Sequence, residues 1–400
     1  MRFIIYRPHS LNFFGTPVKS WLRGLVVRPK YKVLIDYLLE CEIDLCLTAK
    51  LSDINTVSGV IKNWLDVIEL LFWCAINRVP LRSVKIITSK NQILRDDCLL
   101  VMYYGNLAFE SVSKKHEANQ IAKVLAQVQC KKLVHLTHFF YDVKNGFERL
   151  KSVEPSAVIA ESNLQKNSKI FQNFNDGLNA KMVCAPYVPT RRFRNMTEFQ
   201  KRESKLIATG TLTYKMKDHD FIKTYDTDDL QPMRRKIYEN ASSYPNEIVS
   251  YIEDLNETEK VKIKRFNSVF GRIIEMFRPS NSQTDYFSND IVSLYNKYQM
   301  FAVPEEIVGL PGIGAFEGMM CGSVLFAIND PMYTDIGLIP GYHYVEYDGS
   351  LDSLISKVRY YQSNQNQLYD ISVSGQKFVV ESLKKENVYK NLLNQIGFIK

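Results

Sequence analysis

Between Gln299 and Pro331 the chain reads QMFAVPEEIVGLPGIGAFEGMMCGSVLFAINDP, and its chemistry gathers around one acid, Glu317. Gly309, Gly312 and Gly314 precede it. They lack the Cβ atoms that hold a ligand away from the backbone, and they can take up positive φ. The run from about Gly314 to Cys321 predicts a short helix, whose free N-terminal N–H groups and dipole favour an anion such as a diphosphate. Glu317 is expected in its first turn, where the carboxylate either complements the helix dipole or accepts hydrogen bonds from the two hydroxyls of a ribose. Met300 to Val303, closed by Pro304, and Ser323 to Ile328 read as buried strands. A β–loop–α–β unit of about thirty residues suits a doubly wound sheet that binds its ligand at the carboxyl ends of strands. Gly312, Gly314 and Gly318 space as G-x-G-x-x-x-G, one residue longer than a dinucleotide fingerprint and too near the end of the chain for a full dinucleotide domain, so NAD is not expected.

The elements that must position this unit are alternating strands and helices. Phe3 to Tyr6, Ile43 to Thr48, Val84 to Thr88, Leu99 to Tyr104, Lys132 to Thr137 and Ala157 to Glu161 predict strands; Thr56 to Asn77 and His116 to Gln129 predict helices between them. This alternation means an α/β fold with parallel sheets. Trp64, Leu65, Ile68, Leu71 and Phe72 form a stripe at helical spacing, read as core in preference to a helix resting on a membrane. The pattern lapses between Pro186 and Ser204, which marks a boundary. The domains are expected at 1–190 and 204–375, with a helix over 376–400 packing back on the first. Within the second half, Lys205 to Thr209 predicts a strand, Asp228 to Phe277 a long polar and helical section, and Asp290 to Tyr298 a helix. Tyr342 to Tyr347 predicts a strand, and Leu351 to Ser363 and Asn364 to Ile396 predict helices.

With 400 residues, 46% of them hydrophobic, the chain has the make-up of a globular protein too long for one core. Its longest runs free of Asp, Glu, Lys and Arg, Cys98 to Phe109 and Gly318 to Asn329, are 12 residues, too short to span a bilayer. MRFIIYRPHS reads as a first strand and not as a signal peptide. Seven cysteines without a C-x-x-C pair read as buried thiols of a reducing compartment, and six histidines without H-x-x-x-H or H-E-x-x-H spacing give no expectation of a metal. Residues 1–200 hold 28 Lys/Arg against 17 Asp/Glu, a net +11, whereas residues 201–400 carry a net −3. The first 35 residues contain Arg2, Arg7, Lys19, Arg23, Arg28, Lys30 and Lys32 and no acid, interleaved with Phe13, Phe14, Trp21 and Leu22. Such a surface suits an anionic membrane or an acidic acceptor, or is a solvated basic face. Nucleic acid is not expected, because no motif for it accompanies the charge.

Four segments in order carry a resemblance: KMVCAPYVPTRRF, NDIVSLYNKYQMFAVPEE, GAFEGMMCGSVLFA and PGYHYVEYDGSLDSLISKVRYY. They resemble the interdomain connector, the helix and strand before the donor loop, the donor helix and strand, and the closing strand and helix of GT-B glycosyltransferases. The likeness is strongest to the retaining family 4 group of bacterial surface-polysaccharide synthesis. It implies two Rossmann-like domains facing a cleft. It also implies a ribose-binding role for Glu317, as the second glutamate of the family's E-x7-E pair. The first glutamate does not match, since Gly309 stands eight positions before Glu317, and Glu305 or Glu306 would take its place at the donor sugar. The family's glycine-arginine and lysine, which neutralise the diphosphate, become Gly210 with Thr211, and Lys215 or Lys217. His138, just past a strand, would lie near the reacting sugar, and His135 is expected in the core. Gly15 matches the glycine loop after the first strand.

The resemblance therefore implies transfer of a sugar from a nucleoside diphosphate sugar to a glycan or lipid-linked acceptor. Neither a metal nor any other cofactor is expected, and the protein would sit on the cytoplasmic face of the membrane. Gly312, Gly314 and a lysine would grip the diphosphate, and positioning and electrostatics would supply most of the rate. A nucleotide-sugar epimerase of the same architecture and a non-catalytic, glycan-binding scaffold are the competing readings.

Overall fold

The computed structural model describes residues 1–9, 27, 29–51, 57–108, 112–137, 139–140, 142–212, 222–223, 225, 229–254 and 290–399. The first sheet comprises β1 (Phe3–Tyr6), β2 (Leu45–Thr48), β3 (Val84–Ile87), β4 (Cys98–Val101), β5 (Lys131–His135), β6 (Ala157–Ala160) and β7 (Lys181–Cys184). Its strands are parallel in the order β3-β2-β1-β4-β5-β6-β7, with Phe3 opposite both Leu45 and Cys98. The runs FIIY, LCLT, CLLV and AVIA are buried at every residue, because helices cover both faces of a parallel sheet. Those helices are α1 (Pro29–Glu40), α2 (Val57–Ile76), α3 (Val112–Ala126), α4 (Val143–Val153), α5 (Leu164–Asn167) and α6 (Lys169–Phe174).

The second sheet comprises β8 (Glu203–Leu212), β9 (Ile248–Asp254), β10 (Tyr298–Ala302), β11 (Val324–Ile328) and β12 (Val345–Tyr347), parallel in the order β12-β11-β10-β8-β9. Around it lie α7 (Pro232–Asn240), α8 (Ile291–Lys297), α9 (Ile313–Met320), α10 (Pro331–Thr334), α11 (Leu351–Ser363), α12 (Gln365–Ser382) and α13 (Lys385–Gln395). Strand order reverses beside β1 in one sheet and beside β8 in the other, and such switch points open crevices at the carboxyl ends of strands.

Four expectations need correction. Lys181–Cys184, read as part of the connector, is a full strand paired along β6. The section Asp228 to Phe277 is not helical throughout: Ile248–Asp254 is an edge strand, whose half-exposed side chains hid it from a hydropathy reading. Residues 255–277 lie outside the described residues. The single closing helix is two, α12 and α13, parted at Leu383 and Lys384. The turn redirects the chain from the second sheet to the first, where Tyr389 packs on Tyr37, Lys181 Nζ donates to the Gln395 carbonyl at 2.9 Å and Phe398 meets the Phe3 ring edge-on. One apolar cluster consequently runs from Phe3 and Trp73 through Phe301 and Phe316 to Leu392. Lastly, the stripe on α2 is not core: Trp64, Leu65, Ile68, Leu71 and Phe72 are exposed by 38% to 64%.

Candidate functional site

The carboxyl ends of the two sheets meet around a cavity of about 560 Å³. Thr137 and Phe140 follow β5, Glu161 ends β6 and Tyr187 follows β7, while Lys30 enters from the first turn of α1. The opposite wall is the segment after β10, Val303 to Glu306 and Leu310 to Ile313, with Arg234 from α7. The loop after β10 also plugs into the first domain. Val308 is buried in the cluster that holds Phe139, Phe140 and Phe171, and Ser162 Oγ donates to the Gly309 carbonyl at 2.6 Å. Gly309 has φ +77° and packs where a Cβ would stand 2.8 Å from the Asn167 carbonyl oxygen, so this contact needs glycine twice over. Lys166 to Asp335, at 3.1 Å, adds an ion pair across the same seam.

Arg234 is the cation that sequence reasoning missed. Its Nη1 donates to the Thr211 carbonyl at 2.9 Å and its Nη2 to the Pro304 carbonyl at 3.0 Å, with Glu306 Oε1 3.6 Å from Nη1. The buried Nε has no hydrogen-bond partner among the described residues. Gly210, at φ +143°, admits the guanidinium, since a Cβ there would stand 2.7 Å from Nε. The expected Gly210 and Thr211 thus form a cradle, and the charge comes from a helix 23 residues downstream of Thr211, in an unmarked run, QPMRRK. Lys30 faces it from the other domain; its Nζ donates to the Tyr187 hydroxyl at 3.1 Å and lies 4.3 Å over that ring.

The acids divide by environment. Glu305 lines the cavity but spends its carboxylate on its own domain, accepting from the Ile328 N–H at 3.2 Å, the Tyr333 hydroxyl at 3.1 Å and the Tyr347 hydroxyl at 3.3 Å. Burial raises its carboxyl above the usual range despite these bonds. Glu306 is freer, held by Gln231 Nε2 at 2.9 Å. Glu161 is nearly inaccessible; burial alone would raise its carboxyl, but His135, Tyr187 and Lys30 hold it down at about 2. His135, expected in the core, is only partly buried: it stands 3.2 Å from Glu161 with its Nδ1 2.9 Å from Thr137 Oγ1, and it lines a second cavity with Tyr31, Tyr187 and Tyr389.

Glu317 is the fifth residue of α9, one residue deeper than expected and just past the first turn, because the helix begins at Ile313. Half-buried, it takes no hydrogen bond from the described residues, and burial pushes its carboxyl up to about 7 against the pull of Arg192 and Lys30. Gly312 and Gly314 lack the expected positive φ; they are needed for space, since a Cβ on either would come within 3.0 Å of Val303. Gly15, His138, Lys215 and Lys217 lie outside the described residues. One cluster with metal-ligand spacing, His9, Asp66 and Glu69, lies away from the cavity walls, and Arg7 Nη2 holds its Asp66 at 3.0 Å.

No curated protein sequence matches the chain. Residues 318–396, about a fifth of it, match the family model of glycosyl transferase family 90. Two solved structures align over essentially the whole chain. HepE of Anabaena, in complex with UDP and glucose, has a TM-score of 0.53 and 11% identity over 100% of both chains. The sucrose-phosphate synthase of Thermosynechococcus elongatus has a TM-score of 0.53 and 10% identity over 99% of each. At such identities the likeness speaks for the fold, and that fold is GT-B: two Rossmann-like domains about a cleft, with the last helix crossing back to the first.

Proposed function

We propose that the protein is a glycosyltransferase that moves a sugar from a nucleoside diphosphate sugar to an acceptor hydroxyl. The observation that carries this is Glu317: a half-buried carboxyl without a hydrogen-bond partner among the described residues, one turn behind a cleft furnished with Lys30 and Arg234. A half-buried carboxyl in that condition is open to a ligand, and two vicinal ribose hydroxyls supply donors for it. The cations take up charge on the departing diphosphate as the bond from the anomeric carbon to its oxygen breaks. Glu306, held at the cavity by one hydrogen bond from Gln231 where Glu305 accepts three, faces the donor sugar, and Glu161 stands on the acceptor side. UDP in the Anabaena structure makes a uridine donor the first to try.

The finer readings are also proposals. Retention at the anomeric carbon and kinship to family 4 rest on the four resembling segments. A glycan or lipid-linked acceptor of cell-surface polysaccharide synthesis, and a station on the cytoplasmic face of the membrane, rest on those segments and on the basic first half; no helix among the described residues is long and apolar enough to cross a bilayer. Metal-free transfer remains an expectation, tested by adding chelator to the turnover assay. The deciding experiment is thermal stabilisation by UDP, GDP, CMP, dTDP and their sugars. A ligand at 100 times its dissociation constant adds about 2.7 kcal/mol. One nucleotide should stabilise the wild type and fail with Glu317→Ala; no shift with any would return the non-catalytic scaffold.

A further inference from the structure

The second cavity lies in the first domain, on the face of its sheet that α1 and α13 cover. Helix α13 is moored at the far end of that face. Lys131, which opens β5, donates to the Ile396 carbonyl at 2.7 Å, and Lys181, which opens β7, donates to the Gln395 carbonyl at 2.9 Å. The carboxyl half of the face, between α13 and the start of α1, is left open among the described residues. The space there is about 450 Å³ with its mouth included. Leu100 of β4, Met102 just after it and Ile159 of β6 form the floor, with Tyr31 on the side of α1 and Tyr389 on that of α13. Lys30 and Tyr187 line both this cavity and the cleft, so the pair is the partition between them.

The lining selects the occupant. A floor of leucine, methionine and isoleucine gives water or sugar hydroxyls no adequate hydrogen-bond partner, so each would lose bonds on entering. An apolar group loses none, and the tyrosine rings of the two helices offer it flat surface. The polar groups stand towards the cleft. Lys30 Nζ lies 4.9 Å from the Tyr31 ring centroid and 4.3 Å from that of Tyr187, whose hydroxyl accepts from it, and His135 reaches Glu161 of the cleft at 3.2 Å. A ring seated on the floor would therefore direct its polar attachment at the partition, and the molecule it belongs to would continue into the cleft beside Glu161 and Thr137.

We propose that this cavity binds an apolar ring of the acceptor, next to the hydroxyl that reacts in the cleft. Its assignment to the acceptor rests on the glycosyltransfer reading; the affinity for a ring does not. The test is thermal stabilisation of the full-length protein by phenyl, hexyl and methyl β-glucoside, in wild type, in Ala185→Leu and, separately, in Ile159→Phe. Both residues line the cavity from the strand side, and both substitutions push carbon into it. Phenyl glucoside should stabilise the wild type and methyl glucoside should not. Each filled variant should bind the phenyl compound roughly tenfold or more weakly, with its own melting temperature unchanged or raised. No stabilisation by the phenyl compound overturns the proposal. So does equal stabilisation by methyl glucoside, which would make the sugar the bound group, or stronger stabilisation by hexyl glucoside, which would make it a chain. Phenyl binding that survives both substitutions would put the ring elsewhere and overturn the proposal too. A marked loss of melting temperature in both variants would do the same, because an open space accepts added carbon and a filled one does not. Nucleotide stabilisation measured on the same samples keeps the readings apart: a ring bound without any nucleotide retains the cavity as a binding site and defeats its assignment to an acceptor, and the reverse defeats only this inference.

Discussion

The two walls of the cleft hold their charges by different means. On the second-domain wall the braces are local: Glu305 is tied to β11, to Tyr333 of α10 and to Tyr347 of β12, and Arg234 is clamped by two backbone carbonyls. On the first-domain wall, Glu161 is held by side chains converging from separate elements, His135 of β5, Tyr187 of the connector and Lys30 of α1. Backbone-clamped groups stay where the sheet puts them; a side-chain cluster depends on the protonation and rotamers of its members. The second-domain wall is therefore preorganised, as the leaving-group site we propose there must be, and the first-domain wall depends on the rotamers of the side chains that meet in it.

The largest effect that distinguishes the walls should come from Glu305→Ala. It leaves a buried N–H and two tyrosine hydroxyls without their acceptor, at a cost of about 3 to 5 kcal/mol read from thermal unfolding. If stability is untouched and only turnover is lost, Glu305 belongs to the reaction and the wall is not self-braced. Next is Arg234→Ala, which removes the charge together with the donors to the Thr211 and Pro304 carbonyls. It should weaken nucleotide binding by about 2 to 3 kcal/mol in a titration of the thermal shift, and Arg234→Lys should not restore it, because one ammonium cannot span two carbonyls. Unchanged binding would move the diphosphate to the first wall. Glu161→Gln should cost about 2 to 3 kcal/mol at neutral pH. The sign follows from the depressed carboxyl, about 2 in the fold against an ordinary value near 4.5. The wild type keeps this stability above about pH 4.5 and loses it as pH falls towards 2, so the variant's acid limb should be flatter between those values. Parallel acid limbs would mean that the cluster carries no charge.

What was legible in the sequence follows the same division. The GT-B fold and the β10–α9–β11 unit were readable because buried parallel strands are short apolar runs, and glycines punctuate what lies between them. Glu317 was readable as a lone acid on an apolar helix, though its turn was not, since helix starts are set by caps and α9 begins without a side-chain one. Arg234 and Glu161 were not readable. Each gains its meaning from a neighbour distant in the chain, a glycine at 210 or a tyrosine at 187. The stripe on α2 was misread for a physical reason: periodicity reports that a helix has an apolar face, not which way it points.

The smallest stability effect has the most specific signature. Glu317 is raised to about 7 from an ordinary value near 4.5. The folded state thus binds the extra proton between those values, and the wild type loses stability as pH climbs through that window. Allowing for partial exposure, the loss is about 1 to 2 kcal/mol, so Glu317→Gln should melt higher than wild type above pH 7 and alike below pH 4.5. Ribose hydroxyls donate more strongly to the ionised carboxylate than to the neutral acid. Wild-type nucleotide affinity should therefore rise with pH across the same window, while the variant's stays low and flat. A residue that served only packing would give the first result without the second, and a glutamate ionised throughout would give neither. Opposite pH slopes for stability and for affinity, both removed by one substitution, would identify a carboxylate kept at a cost to the fold for the sake of its ligand.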